Sequence, residues 1–191
     1  MDTYIYLVRH GDSPKLDGNE RTRGLTEKGK MDAKRITAML LHEGVDVFFS
    51  SPYKRAVLTI ENLAKVADKE VQIREDLKEV VFACDDKIMP DSELYPLVNK
   101  MFVDRELCSP GGDTALSCQE RSVAILMEIL KTNSGQRIVI GTHGAVMTLM
   151  MGYFNSKYDF DFLMKTSKPD VYKLIFDNEK LIDVERLWTE V

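Results

Sequence analysis

The chain has 191 residues, which suits one domain, residues 1–191, with a well-buried core. Apolar residues make up 44%, charged residues 30%, and the net charge is −5, a composition typical of globular proteins that argues against a nucleic-acid binder. The sequence has no apolar run of the ~20 residues that a membrane span requires, no basic leader and no CxxC among its three cysteines, so we expect a cytoplasmic protein without membrane partner, disulfide framework or metal site.

Strand and helix patterns alternate through the first half of the chain. Short continuous apolar runs predict buried strands, and apolar residues three or four positions apart predict amphipathic helices. Thr26 and Ser51 are typical N-cap residues, and Pro52 suits a first helical position. In chain order, the predicted elements are a strand at residues 4–9, a helix at 26–42, a strand at 45–49, a helix that begins at Pro52 and a short strand at 71–73.

Residues 80–112 are the least regular part of the sequence. They hold three prolines and the pair Gly111-Gly112, a composition that predicts a lid or binding loop with some helix between Leu94 and Asp104. Regular patterns then resume. The predicted elements are a helix from about 114 to 131, a strand at 137–140, a helix at about 145–152, and strands at 171–176 and 181–188 around a turn at 177–180.

This alternation predicts an α/β fold. Strands that alternate with helices form a mostly parallel sheet with helices on both faces, a three-layer α/β/α sandwich. The C-terminal pair of strands, joined by a short turn, requires at least one antiparallel strand at the edge of the sheet.

Polar side chains follow three of the predicted strands at the points where the strands end. Arg9-His10-Gly11 follows the first strand, residues 51–55 with Arg55 follow the second, and Thr142-His143-Gly144 follows the strand at 137–140. Open α/β sheets bind ligands at the carboxyl ends of their strands. Helix N-termini attract anions, and Arg donates two parallel hydrogen bonds to phosphate oxygens, so a phosphate site is predicted at this edge.

His10 is the predicted nucleophile, because imidazole forms covalent phosphoryl intermediates. Arg9, Arg55 and a protonated His143 would supply positive charge to the oxygens of the transferred group.

A departing alkoxide needs a proton, so a carboxylic acid near the loop after the third strand should complete the site. Glu79 is the candidate for this acid, and Glu75 and Asp76 are the local alternatives.

These residues resemble the signatures of the histidine phosphatase superfamily, the phosphoglycerate mutase-like proteins of branch 1. The resemblance extends from residue 4 to about residue 150 in the order that the family has. The matching motifs are Arg9-His10-Gly11 with Asp12-Ser13, Leu25-Thr26-Glu27-Lys28-Gly29, Ser50-Ser51-Pro52 with Arg55-Ala56, Leu77-Lys78-Glu79, Pro110-Gly111-Gly112-Asp113-Thr114 and Thr142-His143-Gly144.

The resemblance implies a phosphoglycerate mutase-like fold, a phospho-accepting His10, Glu79 as the acid/base and no metal or other cofactor. It also implies a phosphate pocket and a small phosphorylated substrate as the partner. The candidate substrate contacts are Arg9, Arg55, His143, Thr142, Gly144, Arg21 and Arg23.

Departures from the family pattern favour hydrolysis. Mutases of the family carry Trp-Asn shortly after Arg-His-Gly, whereas Leu16 has the spacing of that Asn here, and Arg21 and Arg23 replace a Thr-Gly and an Asp. We therefore predict a phosphomonoesterase. A phosphoglycerate-type phosphomutase is the nearest alternative, and a non-catalytic phospho-ligand binding module is the alternative from a different class. The sequence predicts neither the substrate nor the oligomeric state.

Overall fold

A computed structural model describes residues 1–16 and 18–190 of the protein. It contains a six-stranded sheet with helices on both faces, which confirms the predicted fold class. The strands are β1 (Asp2–Arg9), β2 (Val47–Ser50), β3 (Val71–Ile73), β4 (Arg137–Thr142), β5 (Asp170–Asp177) and β6 (Lys180–Arg186). The helices are α1 (Glu27–Leu40), α2 (Lys54–Val66), α3 (Asp91–Val103), α4 (Ala115–Thr132), α5 (Gly144–Phe154) and α6 (Phe160–Lys165), with 3₁₀ turns at Glu75–Leu77 and Cys84–Asp86.

The order of the strands brings the predicted polar ends together. The sheet runs β3-β2-β4-β1-β5-β6; the first four strands are parallel, and β5 pairs antiparallel with both β1 and β6. Arg9, at the end of β1, is in register with Thr142 at the end of β4 and with Asp170 at the start of β5. β1, β2 and β4 therefore deliver their C-terminal residues to one edge of the sheet.

Alternate residues of each strand face two separate cores. In β1, Ile5 and Leu7 pack with α4 and α5, whereas Tyr6 and Val8 pack with α1 and α2 on the opposite face. This period of two is what a sheet covered on both sides requires. Both cores hold the central strands rigidly beneath the edge where the polar residues lie.

Gly29 allows α1 to approach the loop that follows β1. A Cβ atom on Gly29 would lie 2.2 Å from the carbonyl oxygen of Asp12, and one on Gly11 would lie 3.1 Å from the carbonyl oxygen of Gly29. The Thr26 backbone N–H donates to the same Asp12 carbonyl at 3.0 Å, and the Thr26 hydroxyl accepts from the Gly29 N–H as the predicted N-cap. The motif that begins at Arg9 and the motif that ends at Gly29 are thus in direct backbone contact. Glycine is needed at this contact because no side chain fits there.

The start of α2 differs from the prediction. α2 begins at Lys54, not at Pro52, and its N-cap is Tyr53, which makes no side-chain cap bond. Ser51 is not the cap because its backbone still follows the strand, with its N–H donating to the Gly141 carbonyl at 2.9 Å. The Ser51 hydroxyl instead contacts His143.

Three further differences concern the second half of the chain. α3 is longer than predicted and contains Pro96. α6 was missed because it is only six residues long, with Asp159 as its side-chain cap. β6 ends at Arg186, so Trp188 lies beyond the strand, where it is buried beneath the guanidinium of Arg35 at 4.3 Å.

Cys84, Cys108 and Cys118 are free thiols. Over the described ranges, helices long and apolar enough to cross a bilayer are absent.

Candidate active site

The three predicted strand ends line one side of a cleft. Five residues that the sequence singled out contribute side chains to it: Arg9, His10, Arg23, Arg55 and Glu79. His143 lies directly behind His10, with 5.2 Å between the two ring centroids. The structure therefore places the predicted nucleophile, acid and cations side by side.

His10 has one ring nitrogen fixed by the backbone. Nδ1 lies 2.7 Å from the carbonyl oxygen of Gly11, the next residue. A carbonyl can only accept a hydrogen bond, so Nδ1 carries the proton and donates it. The neutral ring then has its lone pair on Nε2, the atom that would attack phosphorus.

The surroundings of His10 keep this ring neutral. Burial is the largest cause, and the positive charges of Arg55 and Arg9 add to it, so the pKa of His10 is well below the usual value for histidine. Only 6% of the residue is exposed. A histidine with these neighbours is unprotonated at neutral pH and available as a nucleophile.

His143 is fully buried and contacts two residues that follow β2. Its Nε2 lies 2.7 Å from the Ser51 hydroxyl oxygen, and its ring meets the Tyr53 ring edge-on with 5.0 Å between centroids. Burial, together with the nearby charges of Arg55 and Arg23, holds the pKa of His143 well below the usual range. The prediction of a protonated His143 is therefore wrong for the protein alone, because burial and the surrounding guanidiniums oppose a further positive charge.

The lowered pKa values of His10 and His143 predict acid sensitivity. Below about pH 6.5 the unfolded chain takes up protons on these two histidines, whereas the folded protein does not. We expect the free energy of unfolding to fall with falling pH, approaching about 1.4 kcal/mol per pH unit for each histidine. Urea unfolding in phosphate-free buffer between pH 7 and 5.5 measures this slope, and His10→Ala should remove the share of one histidine. Equal slopes for the two proteins would contradict the lowered pKa of His10.

Arg9 is positioned by α5 and by the segment after α6. Its Nη1 donates to the Thr166 carbonyl at 3.2 Å and to the Thr166 hydroxyl. Its guanidinium lies on Gly144, where a Cβ atom would come within 2.8 Å of Cζ. Gly144 was predicted to contact substrate, but in the structure it provides the space that the Arg9 guanidinium occupies.

Arg55 and Arg23 share one carboxylate. Arg55 is 1% exposed and lies in the first turn of α2, and its Nη2 donates to Glu20 Oε2 at 2.7 Å. Arg23, also buried, donates to the same oxygen at 3.0 Å. The Nε groups of both arginines are buried without a hydrogen-bond partner among the described residues, so donors remain free beside the cleft. Glu20 was not predicted from the sequence, because no motif surrounds it. It meets the two arginines only when its loop folds.

Glu79 is attached to the N-terminus of α5. Its Oε1 accepts from the backbone N–H of Val146 at 2.8 Å and of Val80 at 3.0 Å, and its Oε2 accepts from Ala145 at 3.1 Å. The positive end of the helix dipole favours a carboxylate at this place. Oε2 accepts one bond and Oε1 accepts two, so Oε2 has the greater remaining capacity for a transferred proton.

Four of the predicted substrate contacts lie outside the cleft lining: His143 and Gly144, described above, and also Arg21 and Thr142. The Arg21 guanidinium pairs with Glu75 at 2.7 Å and with Asp86 at 3.6 Å, on the exposed side of the loop. Thr142 is fully buried, and its carbonyl accepts from the His10 N–H at 3.0 Å. Arg21 pairs with surface carboxylates and Thr142 binds the backbone of His10, so the structure does not bring either side chain to the proposed site of reaction.

The geometry agrees with what comparison with known proteins finds. The family model described as the histidine phosphatase superfamily (branch 1) matches residues 5–185. The chain belongs to this superfamily. The enzyme class that the sequence motifs predicted is thereby confirmed at the level of the superfamily.

This histidine phosphatase is similar to two curated proteins in sequence and to a solved structure in fold. It is 28% identical to phosphoserine phosphatase 1 of Hydrogenobacter thermophilus, over 76% of this chain and 73% of that protein. It is 30% identical to phosphoglycerate mutase-like protein 4 of Arabidopsis thaliana, over 75% and 67% of the two chains. The solved structure of phosphoserine phosphatase from Entamoeba histolytica in complex with 3-phosphoglyceric acid superposes with a TM-score of 0.77 at 24% identity, covering 98% of both chains.

Residues of the irregular segment form the outer wall of the cleft in this histidine phosphatase. The wall is largely apolar, and Lys15 and Lys168 add positive charge to the lining of the cleft. The space between the walls, including the open mouth, is about 810 Å³. The wall residues of this segment are Val80, Val81, Phe82, Ala83, Met89, Leu94, Tyr95 and Val98, with the charged Asp86 and Lys87.

Proposed function

We propose that the protein is a phosphomonoesterase that hydrolyses a small phosphorylated metabolite through a phosphohistidine on His10. The observation that carries the proposal is the neutral His10, with its proton on Nδ1, among the buried guanidiniums of Arg9, Arg55 and Arg23. These three side chains supply the charge that a transferring phosphoryl group requires, so the mechanism calls for no cofactor.

In the first step, the lone pair of His10 Nε2 attacks the phosphorus atom and the bond from phosphorus to the ester oxygen breaks. Glu79, protonated for this step, gives its proton from Oε2 to the leaving oxygen, which departs as an alcohol. The guanidiniums of Arg9 and Arg55 interact with the remaining phosphoryl oxygens throughout the transfer.

In the second step, water attacks the phosphoryl group on His10. Glu79, now a carboxylate, accepts a proton from this water, and the bond between Nε2 and phosphorus breaks. Inorganic phosphate leaves, and both residues return to their starting forms. The Nδ1–H bond to Gly11 holds the ring in the same orientation in both steps.

The relatives support a small phosphorylated substrate. One is named a phosphoserine phosphatase, and the Entamoeba histolytica enzyme binds 3-phosphoglyceric acid. The phosphomutase alternative shares the first step and differs in the acceptor, a second hydroxyl instead of water. The proposed location in the cytoplasm and the one-domain organisation stay predictions.

A panel of phosphorylated metabolites, scored for both inorganic phosphate and isomer formation, tests the proposed function. We expect phosphate release from at least one phosphomonoester and no isomer above background. Isomer formation without phosphate release would establish the mutase alternative. Binding of phosphoesters without either product across the panel would favour the binding module.

A further inference from the structure

The charges that line the cleft are unbalanced. Six basic side chains face it. With Glu79 protonated, as the first step requires, only the carboxylates of Glu20 and Asp86 in the lining and that of Asp91, paired with Lys15, oppose them, so the net charge is +3 in a chain whose overall charge is −5. A phosphate monoester dianion brings two negative charges. One positive charge would remain, and a cleft that concentrates one sign of charge attracts ligands of the opposite sign. The basic residues are Arg9, Lys15, Arg23, Arg55, Lys87 and Lys168, and the acidic residues are Glu20, Glu79 and Asp86.

Three of the six cleft cations have a carboxylate partner among the described residues, and Arg9, Lys87 and Lys168 do not. Arg9 is bound by Thr166 and Lys87 is exposed, so Lys168 is the half-buried lysine left without a partner in the described part of the chain. Arg23 and Arg55 pair with Glu20, and Lys15 pairs with Asp91. Among the described residues, no carboxylate oxygen lies within 4.0 Å of the Lys168 ammonium. A half-buried ammonium without a counter-ion is unusual, because burial of a charge is costly unless the charge is paired.

Lys168 lies on the side of the cleft formed by the segment between α6 and β5. This segment also holds Thr166, which binds the guanidinium of Arg9. Burial, followed by the charges of Arg9 and Lys15, lowers the pKa of Lys168 to about 8, and Asp91 opposes this effect. The charge of Arg23 lowers the pKa of Lys168 further. Lys168 is thus held beside the predicted phosphate cations and is short of negative charge.

We propose that Lys168, assisted by Lys15, binds a carboxylate on the substrate and so determines specificity for phosphorylated carboxylic acids. The proposal rests on the proposed function, because it takes the phosphate to lie at Arg9, Arg55 and His10. A carboxylate fits better than a second phosphate, since a single negative charge balances the one that remains on the lining.

A pair of ligands isolates this contact. 3-Phosphoglycerate carries a carboxylate at the position where glycerol 3-phosphate carries a hydroxymethyl group. Calorimetric titration of both into the His10→Ala protein measures recognition without turnover. Since hydrogen bonds between oppositely charged groups are stronger than those between neutral groups, we expect a preference for 3-phosphoglycerate of about tenfold or more at pH 7. Adding Lys168→Met should abolish this preference and leave the affinity for glycerol 3-phosphate within about threefold.

Two further variants make the result specific. Lys165→Met removes the same charge from an exposed position at the end of α6, outside the cleft lining, and should leave the preference unchanged. Lys168→Arg keeps the charge and should keep most of the preference. In the parent protein the preference should fall between pH 7 and 9 as Lys168 loses its proton, and Lys168→Met should show no such fall.

The proposal is overturned if Lys168→Met weakens both ligands equally, or if the preference for the carboxylate survives the substitution. Failure of the proposed function has a different signature. In that case wild-type protein would release no phosphate from any ester, while the carboxylate preference in binding would still depend on Lys168.

Discussion

His10→Ala is expected to reduce kcat for phosphomonoester hydrolysis by ~10⁴-fold or more, because the substitution removes the atom that would accept the phosphoryl group. Nε2 of His10 is the lone-pair nitrogen of a ring whose tautomer is fixed by Gly11. Water in its place would lack both the nucleophilicity and the fixed orientation of imidazole. Steady-state assays on a good aryl phosphate measure the loss.

The same variant should keep its affinity for inorganic phosphate, since Arg9, Arg23 and Arg55 remain. Rapid acid-free quenching of wild-type enzyme with labelled substrate should trap a phosphoenzyme that His10→Ala does not form. His42→Ala is the matched control, because His42 is exposed and lies outside the cleft. Wild-type kcat in the His10→Ala protein would exclude a phosphohistidine at this position.

Glu79→Gln is expected to slow the hydrolysis of alkyl phosphates by ~10²–10⁴-fold, the range typical for loss of a general acid or base. An amide at this position keeps a carbonyl oxygen for the N–H groups of α5 but cannot transfer a proton. An aryl phosphate with a nitrophenol leaving group needs little protonation, so its phosphorylation step should change far less. Burst kinetics that separate phosphorylation of the enzyme from its hydrolysis show which step is affected.

Glu75→Gln serves as the matched control for Glu79. Glu75 was an alternative for the acid from sequence, but the structure places its carboxylate against Arg21 at the surface. We expect kcat for this variant to be unchanged. An equal loss for alkyl and aryl substrates in Glu79→Gln would indicate that Glu79 only caps α5. A large loss of kcat in Glu75→Gln would show that Glu75, and not Glu79, is the acid.

The parts of the site that follow strands could be predicted, because strand ends carry both a local pattern and a topological consequence. Arg9-His10, Arg55 and His143 are each adjacent to a continuous apolar run, and parallel strands bring such positions to one edge. Glu79 could be narrowed to three acidic residues by its place after β3. Its contact with the N-terminus of α5 was invisible, since 66 residues separate it from Ala145.

The parts that lie in loops could not be predicted. Glu20 and Lys168 acquire their surroundings only when segments far apart in sequence meet, and neither has periodic neighbours that fix its direction. The same holds for Ser51, whose pattern suggests a helix cap but whose hydroxyl contacts His143. Sequence patterns specify local geometry well, whereas charge pairing across a cleft is a property of the tertiary fold.

In the proposed phosphate site, the carboxylate of Glu20 competes with phosphate for the guanidiniums of Arg55 and Arg23. Because Glu20 is joined covalently to the chain, its effective concentration at Arg55 and Arg23 is fixed at roughly the millimolar level or above, whatever the solution contains. An external anion gains only the difference between its own interaction with these guanidiniums and that of Glu20. The reduction applies to the released phosphate as well as to the substrate, so we expect weak product inhibition and a site suited to rapid turnover.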